Sequence, residues 1–285
     1  MTWASVRTCG PQRFYRGEFS LGEETTFLNL GYWRDRPLRY DDAARSLARL
    51  VAEAAQMNGA DRVLDVGFGL ADQDLYWAQQ PDLCPREIIG LDLSADFVER
   101  GRERVQRVGL GTRIRLHHGS GTDLPLDTEK IDKLVALESP LLFVTRDDFF
   151  REAYRVLRPG GRLVTTDVLT REPRQNVAAG WLNDWLASWL WQVPRENLYP
   201  REMYARRLLA AGFENVRVVS IRDDVFPGYM RCVARRLRDP DIVHRLGPAL
   251  YLYWRRAVRA PDYLQDYDYV LAVAEKPDLF AEVGL

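Results

Sequence analysis

Forty basic against forty-one acidic side chains leave the chain almost without net charge. No global field gathers nucleic acid or anionic lipid, so polyanionic partners are not expected. Cysteine is sparse: Cys9, Cys84 and Cys232 lie far apart, with no CxxC or Cys/His spacing. That pattern predicts free thiols in a reducing compartment and no structural metal. No apolar stretch approaches the ~20 residues of a membrane span. The opening MTWASVRTCGPQRFYRGEF carries charges where a secretory signal needs its apolar run, so a cytoplasmic protein without stable membrane insertion is expected. Internal repeats and low-complexity linkers are also missing. What remains is a chain of 285 residues with 46% apolar and 28% charged residues, suited to one large globular domain with additions.

Hydrophobic periodicity then orders the elements. From Asp41, Ala43, Leu47, Leu50, Val51 and Ala54 recur at helical spacing, with Gly59 as the expected stop. RVLDV (62–66) is a buried-strand pattern entering GFGLADQD, where Asp72 is expected to cap a helix through Ala78. EIIGLD (87–92) repeats the strand pattern, and Ser94 caps a helix to about Val108 that Gly109 ends. RIRLHH (113–118), IDKLVAL (131–137) and RLVTTDV (162–168) read as strands, with the helix RDDFFREAYRVL and the turn RPGG before the last. Beyond residue 170 the rhythm changes to a Trp-rich helical stretch (176–192), a helix (201–211), a strand (215–223), a long Arg-rich helical segment and a final strand (267–275). Strands alternating with helices predict a parallel sheet covered on both faces, with its ligand site at the strands' carboxyl ends.

Asp65-Val-Gly67-Phe-Gly69 falls at such an end, where small residues admit a ligand to the backbone and helix amides can hold an anionic group. The rival is a dinucleotide oxidoreductase, but the third position of G-x-G-x-x-G is here Asp72. A carboxylate there repels a pyrophosphate and tolerates an amino acid with its own ammonium, which favours S-adenosylmethionine (SAM) over NAD. Asp92 ends the second strand, where a carboxylate can accept hydrogen bonds from both ribose hydroxyls. Adenine is then expected beside the loop from His118 to Pro125.

The ordered run VLDVGFG, GLDLS, GTDLP, ALES and TRDDFFREAYRVLRPGGRL resembles the motif set of class I SAM-dependent small-molecule methyltransferases. The likeness is to those that act on polyketide, glycolipid, sterol-like and prenyl substrates; NLGYW (29–33) fits the same group, and about residues 27–220 are covered. It implies a Rossmann-like seven-stranded sheet with helices on both faces and helical cap insertions. By the same resemblance Asp65, Gly67 and Gly69 line the methionine end, Asp92 and Leu93 lie at the ribose, and Ser120, Gly121 and Thr122 flank the adenine. Two positions depart from the family: Ser120 stands where Asp is usual, leaving Thr122 or Asp123 to serve the adenine amino group, and Ala71 stands where a third glycine is common.

Methyl transfer from a sulfonium is an in-line displacement, so a base is needed only when the acceptor must lose a proton. Relatives with an ESxxHF pattern place a His after the fourth strand; this chain reads Glu138-Ser-Pro-Leu-Leu142-Phe143. The candidate catalytic groups are therefore Glu138 and Asp167, at strand ends. Glu138 has a second reading, holding the cofactor loop, and Asp167 can simply cap the loop that follows. His117 and His118 are expected to be surface or packing residues, and no metal site is expected. Trp181, Trp185 and Trp189 share a helical face and are expected as a lid over the acceptor, with Tyr32 and Trp33 closing the other side and Leu142 and Phe143 in the pocket. Eight arginines between Met230 and Arg259 read as a solvated face, or as a hold on an acceptor phosphate if some face inward.

The expected organisation is an N-terminal lid segment (1–40) and a methyltransferase domain (41–285) with cap elements at about 176–212 and 226–262. The expected activity is SAM-dependent methyl transfer, leaving S-adenosylhomocysteine, to a small, largely apolar acceptor: O-methylation of a secondary metabolite or lipid. C-methylation of a prenyl diphosphate is the alternative; a non-catalytic SAM-binding protein or a NAD oxidoreductase stands further off. A phosphorylated acceptor and a homo-oligomer are compatible with the sequence, and nucleic acid is not expected. ESPL in place of an Asn/Asp-Pro-Pro-aromatic motif agrees with that last expectation.

Overall fold

The computed structural model describes residues 20–171, 193–260 and 264–278. The Trp-rich stretch, with Trp181 and Trp185, and Cys9 lie outside them.

Helix α1 (Tyr40–Ala55) buries Ala43, Ala44, Leu47, Ala48, Val51 and Ala52 as one stripe, as the periodicity predicts. Fully burying an aliphatic side chain contributes about 1.5–3 kcal/mol, so the stripe fixes this helix to the sheet. It stops before Gly59, because Gln56 takes the left-handed conformation (φ 54°) and its N–H closes the last turn. β1 (Arg62–Val66), β2 (Glu87–Asp92), β3 (Ile114–His118) and β4 (Ile131–Leu137) follow, with α2 (Asp72–Gln79) and α3 (Ala95–Arg107) between the first three. Ser94 caps α3 through a bond from the Phe97 N–H.

Asp72 caps nothing. It is the first residue of α2, after Ala71 in a left-handed turn (φ 62°). Its carboxylate is spent on Arg104 of α3, at 2.7 and 2.9 Å, and on the Thr26 hydroxyl at 2.5 Å. The repulsion expected against a pyrophosphate is thus largely cancelled by Arg104, and the choice of cofactor must rest on other features.

α4 (Arg146–Val156) leads into β5 (Leu157–Thr170), where Leu157 already pairs with Ile131 and the RPGG residues are extruded before Arg162 meets Lys133. α5 (Arg201–Ala210) precedes β6 (Glu214–Ser220), which ends sooner than expected because Arg222 starts α6 (Arg222–Arg236), with Asp223 and Asp224 in its first turn. α7 (Pro240–Ala257) bends at Gly247, and β7 (Tyr267–Glu275) completes the sheet.

The seven strands run in the order β3-β2-β1-β4-β5-β7-β6, parallel except for β7, which is antiparallel to both neighbours. α1, α2, α3, α6 and α7 cover one face, in a core with Val63, Val135 and Val164; α4 and α5 cover the other, in a core with Leu64, Val66 and Leu134. This is the expected Rossmann-like architecture. The order reverses between β1 and β4, so the cleft beyond their carboxyl ends is the place for a ligand. Among the described residues no helix is long and apolar enough to cross a membrane. Cys84 and Cys232 are free thiols.

Candidate active site

The turn after β1 admits only glycine at its first position. Gly67 has φ 85°, and a Cβ there would lie 2.3 Å from the Ser139 Cβ. Ser139 in turn donates from its hydroxyl to the Val66 carbonyl at 2.5 Å, locking the β1 and β4 turns together. Gly69 (φ 60°) donates its N–H to Asp92 at 2.9 Å, and the other Asp92 oxygen accepts the Ser94 N–H at 2.8 Å. Each oxygen keeps a lone pair for a further donor. Burial pushes the Asp92 acid up to about 6, against those two N–H bonds.

Asp65 is fully buried, with one oxygen bonded by the Gln73 amide at 3.0 Å and the other without any donor. Beside it Asp74, missed in the sequence, is also buried, with no donor on either oxygen. Desolvation raises both acids, Asp65 to about 7, so the pair holds at least one proton near neutrality. The two acids lie within hydrogen-bond reach and share that proton, and the negative charge the pair keeps at the end of β1 suits an ammonium.

Leu93 leaves a large apolar side chain 61% exposed beside this turn, a surface suited to a ring. Ser120 is engaged within its own loop: its hydroxyl bonds the Thr122 hydroxyl at 2.9 Å and accepts the Thr122 N–H at 3.2 Å. A Cβ on Gly121 would lie 2.9 Å from both Phe143 and Val66, so Phe143, expected in the acceptor pocket, packs against the loop after β3. His117 and His118 are exposed, and the His118 ring meets the Leu93 carbonyl at 3.0 Å.

Across the switch point the chemistry is carried by side chains. Glu138 has φ 56°, and its N–H donates to the Thr166 carbonyl at 3.0 Å. Its Oε1 accepts the Leu30 N–H at 2.7 Å and the Tyr269 hydroxyl at 2.5 Å, while Oε2 takes no bond from any described residue. The residue stays partly exposed. Burial raises its acid to about 7, although both donors favour the charged form.

Asp167, the other expected catalytic acid, is instead a structural group. It is fully buried and its two oxygens bind the Arg146 guanidinium at 2.8 and 2.9 Å. Burial raises the acid and Arg146 pulls it back. Arg146 also bonds the Asn197 carbonyl and lies over the Tyr199 and Tyr204 rings at 5.0 and 5.5 Å. Such a pair fastens the 193–199 segment to the sheet and cannot reach a ligand.

Residues 20–39 are stitched to the domain by hydrogen bonds. Asp41 holds the Thr25 N–H, Tyr40 donates to the Asn29 carbonyl, and Trp33 donates its backbone N–H to Asp224. Trp33 is core, not pocket: it is 7% exposed, its indole N–H bonds the Leu30 carbonyl, and its ring occupies the space a side chain at Gly228 would need. The Tyr32 hydroxyl meets Asp224 at 3.3 Å, and Leu142 is 38% exposed near Glu138 in sequence. Arg235 and Arg236, candidate phosphate ligands, bind the Leu38 carbonyl and Glu23 instead. Tyr269 and Leu30 had no signal in the sequence, since one is an ordinary strand aromatic and the other acts through its backbone.

Comparison with known proteins matches a Methyltransferase domain family to residues 64–165. The chain is similar to the erythromycin 3''-O-methyltransferase of Saccharopolyspora erythraea, with 34% identity over 96% of this chain and 93% of that protein. Among solved structures, the [4+2]-cyclase SpnF superposes with a TM-score of 0.69 at 28% identity, covering 88% of this chain and 87% of that one. The geranyl diphosphate C-methyltransferase of Streptomyces coelicolor A3(2), solved with Mg2+, geranyl diphosphate and S-adenosylhomocysteine, gives 0.66 at 20% identity over 84% and 81%, a likeness of fold.

Proposed function

Because the chain belongs to the class I SAM-dependent small-molecule methyltransferases, a premise its match to the erythromycin enzyme supplies, we propose that it methylates a hydroxyl of an apolar natural product or lipid, with Glu138 as the base. Bound SAM supplies an electrophilic methyl carbon. Asp65 is assigned to the ammonium, Asp92 to the ribose hydroxyls, and Leu93, Gly121 and Thr122 to the adenine. Gly67 and Gly69 give the backbone close approach.

One observation carries the acceptor chemistry: Glu138 has one oxygen held by two donors and the other unbonded. Oε2 takes the hydroxyl proton as the acceptor oxygen bonds to the methyl carbon and the carbon–sulfur bond breaks, which keeps the charge balanced. General-base help of this kind contributes on the order of 10²–10⁴ in rate. An acid near 7 is matched to that task at neutral pH. Exposed Leu28, Leu142 and Val144 favour an apolar acceptor. A prenyl diphosphate is less favoured, because Arg235 and Arg236 serve the N-terminal segment.

The test is Glu138→Gln, which keeps the shape and removes the charge. Single-turnover rate should fall by about a hundredfold or more with S-adenosylhomocysteine affinity within a few-fold. An unchanged rate would refute the base; lost affinity with unchanged chemistry would make Glu138 a cofactor-site residue.

A further inference from the structure

We propose that Tyr269 is a positioning residue for methyl transfer, acting through Glu138: its hydroxyl fixes Oε1 so that Oε2 is presented to the acceptor. The inference rests on the reading of Glu138 as the base. The geometry leaves the carboxylate little freedom. Its backbone is in the left-handed region and bonded to Thr166, so the side chain leaves β4 in a direction the strand would not otherwise give. Oε1 then meets two donors from opposite ends of the sequence, the Leu30 N–H and the Tyr269 hydroxyl. Two donors on one oxygen fix the carboxylate plane as well as its position.

Tyr269 itself is enclosed by the sheet and its packing. It is fully buried in β7, pairs in register with Val168 of β5, and meets the Phe226 ring edge-on at 5.9 Å. A buried hydroxyl left without a partner is destabilising, so Tyr269 and Glu138 hold each other. It is not a catalytic residue, since the acid stands between it and the cleft.

The electrostatic consequence separates positioning from mere packing. The titratable groups around Glu138 are Asp167 on β5, neutralised by Arg146, and three tyrosines: Tyr40 on α1, Tyr229 on α6 and Tyr269 on β7. Among the described residues no cation bonds to Glu138. The charged form is therefore held against burial by its two hydrogen bonds alone, and losing one must raise the acid further.

The test compares pH profiles of the single-turnover rate for the full-length protein. In Tyr269→Phe the acidic limb should move up by about one pH unit, and the high-pH plateau should fall as well, because one donor no longer fixes the carboxylate plane. To keep the hydroxyl and its packing in β7, 3-fluorotyrosine at 269 provides the opposite perturbation: a more acidic phenol donates more strongly and the limb should move down. The Glu138 carboxyl stretch, assigned in the infrared by difference from Glu138→Gln, should titrate with the same two shifts. A limb and a band unmoved by either replacement, while Glu138→Gln abolishes turnover, would reduce Tyr269 to packing and overturn the inference alone. A normal rate in Glu138→Gln would overturn the base and the inference together.

Discussion

The cleft at the carboxyl edge of the sheet has two sides built on different principles. On the β1, β2 and β3 side the geometry belongs to the backbone: Gly67 and Gly69 turn through positive φ, Asp92 collects two N–H groups, and the residues that act together lie within one βαβ unit. On the β4, β5 and β7 side it belongs to side chains from distant parts of the chain, with residues 30, 138 and 269 meeting at one oxygen. The first arrangement suits a constant ligand held by invariant backbone. The second can change acceptor or chemistry by exchanging a few side chains, and a [4+2]-cyclase with a similar fold shows how far chemistry can diverge on it.

Substitutions should separate the two sides. The largest loss of stability is expected from Arg146→Ala, which strands the buried Asp167; breaking such a pair costs about 3–5 kcal/mol. Denaturant unfolding would show it, and a stable but inactive variant would mean that the pair serves the reaction. Gly67→Ala comes next, at about 2–3 kcal/mol, from a forbidden contact with Ser139 and a positive φ. If it left both the unfolding midpoint and S-adenosylhomocysteine binding intact, the backbone account of the cofactor side would fail. Asp92→Ala should weaken S-adenosylhomocysteine binding by about 1–3 kcal/mol in calorimetry, the worth of lost bonds to a charged group.

A smaller effect is set by pH. Asp65 and Glu138, one on each side, are both raised to about 7 by burial. The folded state then keeps protons that the unfolded chain has released, so their contribution to stability is complete below the ordinary carboxylate range and is lost as pH rises through about 7. The melting temperature of the ligand-free protein should fall from about pH 5 to about pH 7.5, less steeply in Asp65→Asn; a rise would contradict the assignment. The smallest change is Ser120→Asp, which should tighten S-adenosylhomocysteine by about threefold if a carboxylate there reaches the adenine.

The same division explains what could be read in advance. The strands, the glycine turn and Asp92 are legible because period and motif are local. Asp72 looked like a helix cap until Arg104 claimed it, and Asp167 looked like a free acid until Arg146 did; both partners are set by packing, which spacing cannot express. Trp33 has the composition of a pocket residue and the surroundings of a core one, fixed by the absence of a side chain at Gly228. Tyr269 is invisible for the plainest reason, since nothing in YDYVLAVAE marks one tyrosine as facing an acid 131 positions earlier.

The position of β7 also sets a schedule. Synthesis delivers the chain in order, and β6 has no described partner strand until β7 slides between it and β5. A nascent chain halted before residue 267 therefore carries a finished cofactor turn beside an open sheet edge, and an acid at 138 with one of its two donors missing. Turnover is a property acquired only once β7 is in place, and until then the edge of β5 is what folding helpers, or a second unfinished chain, would find.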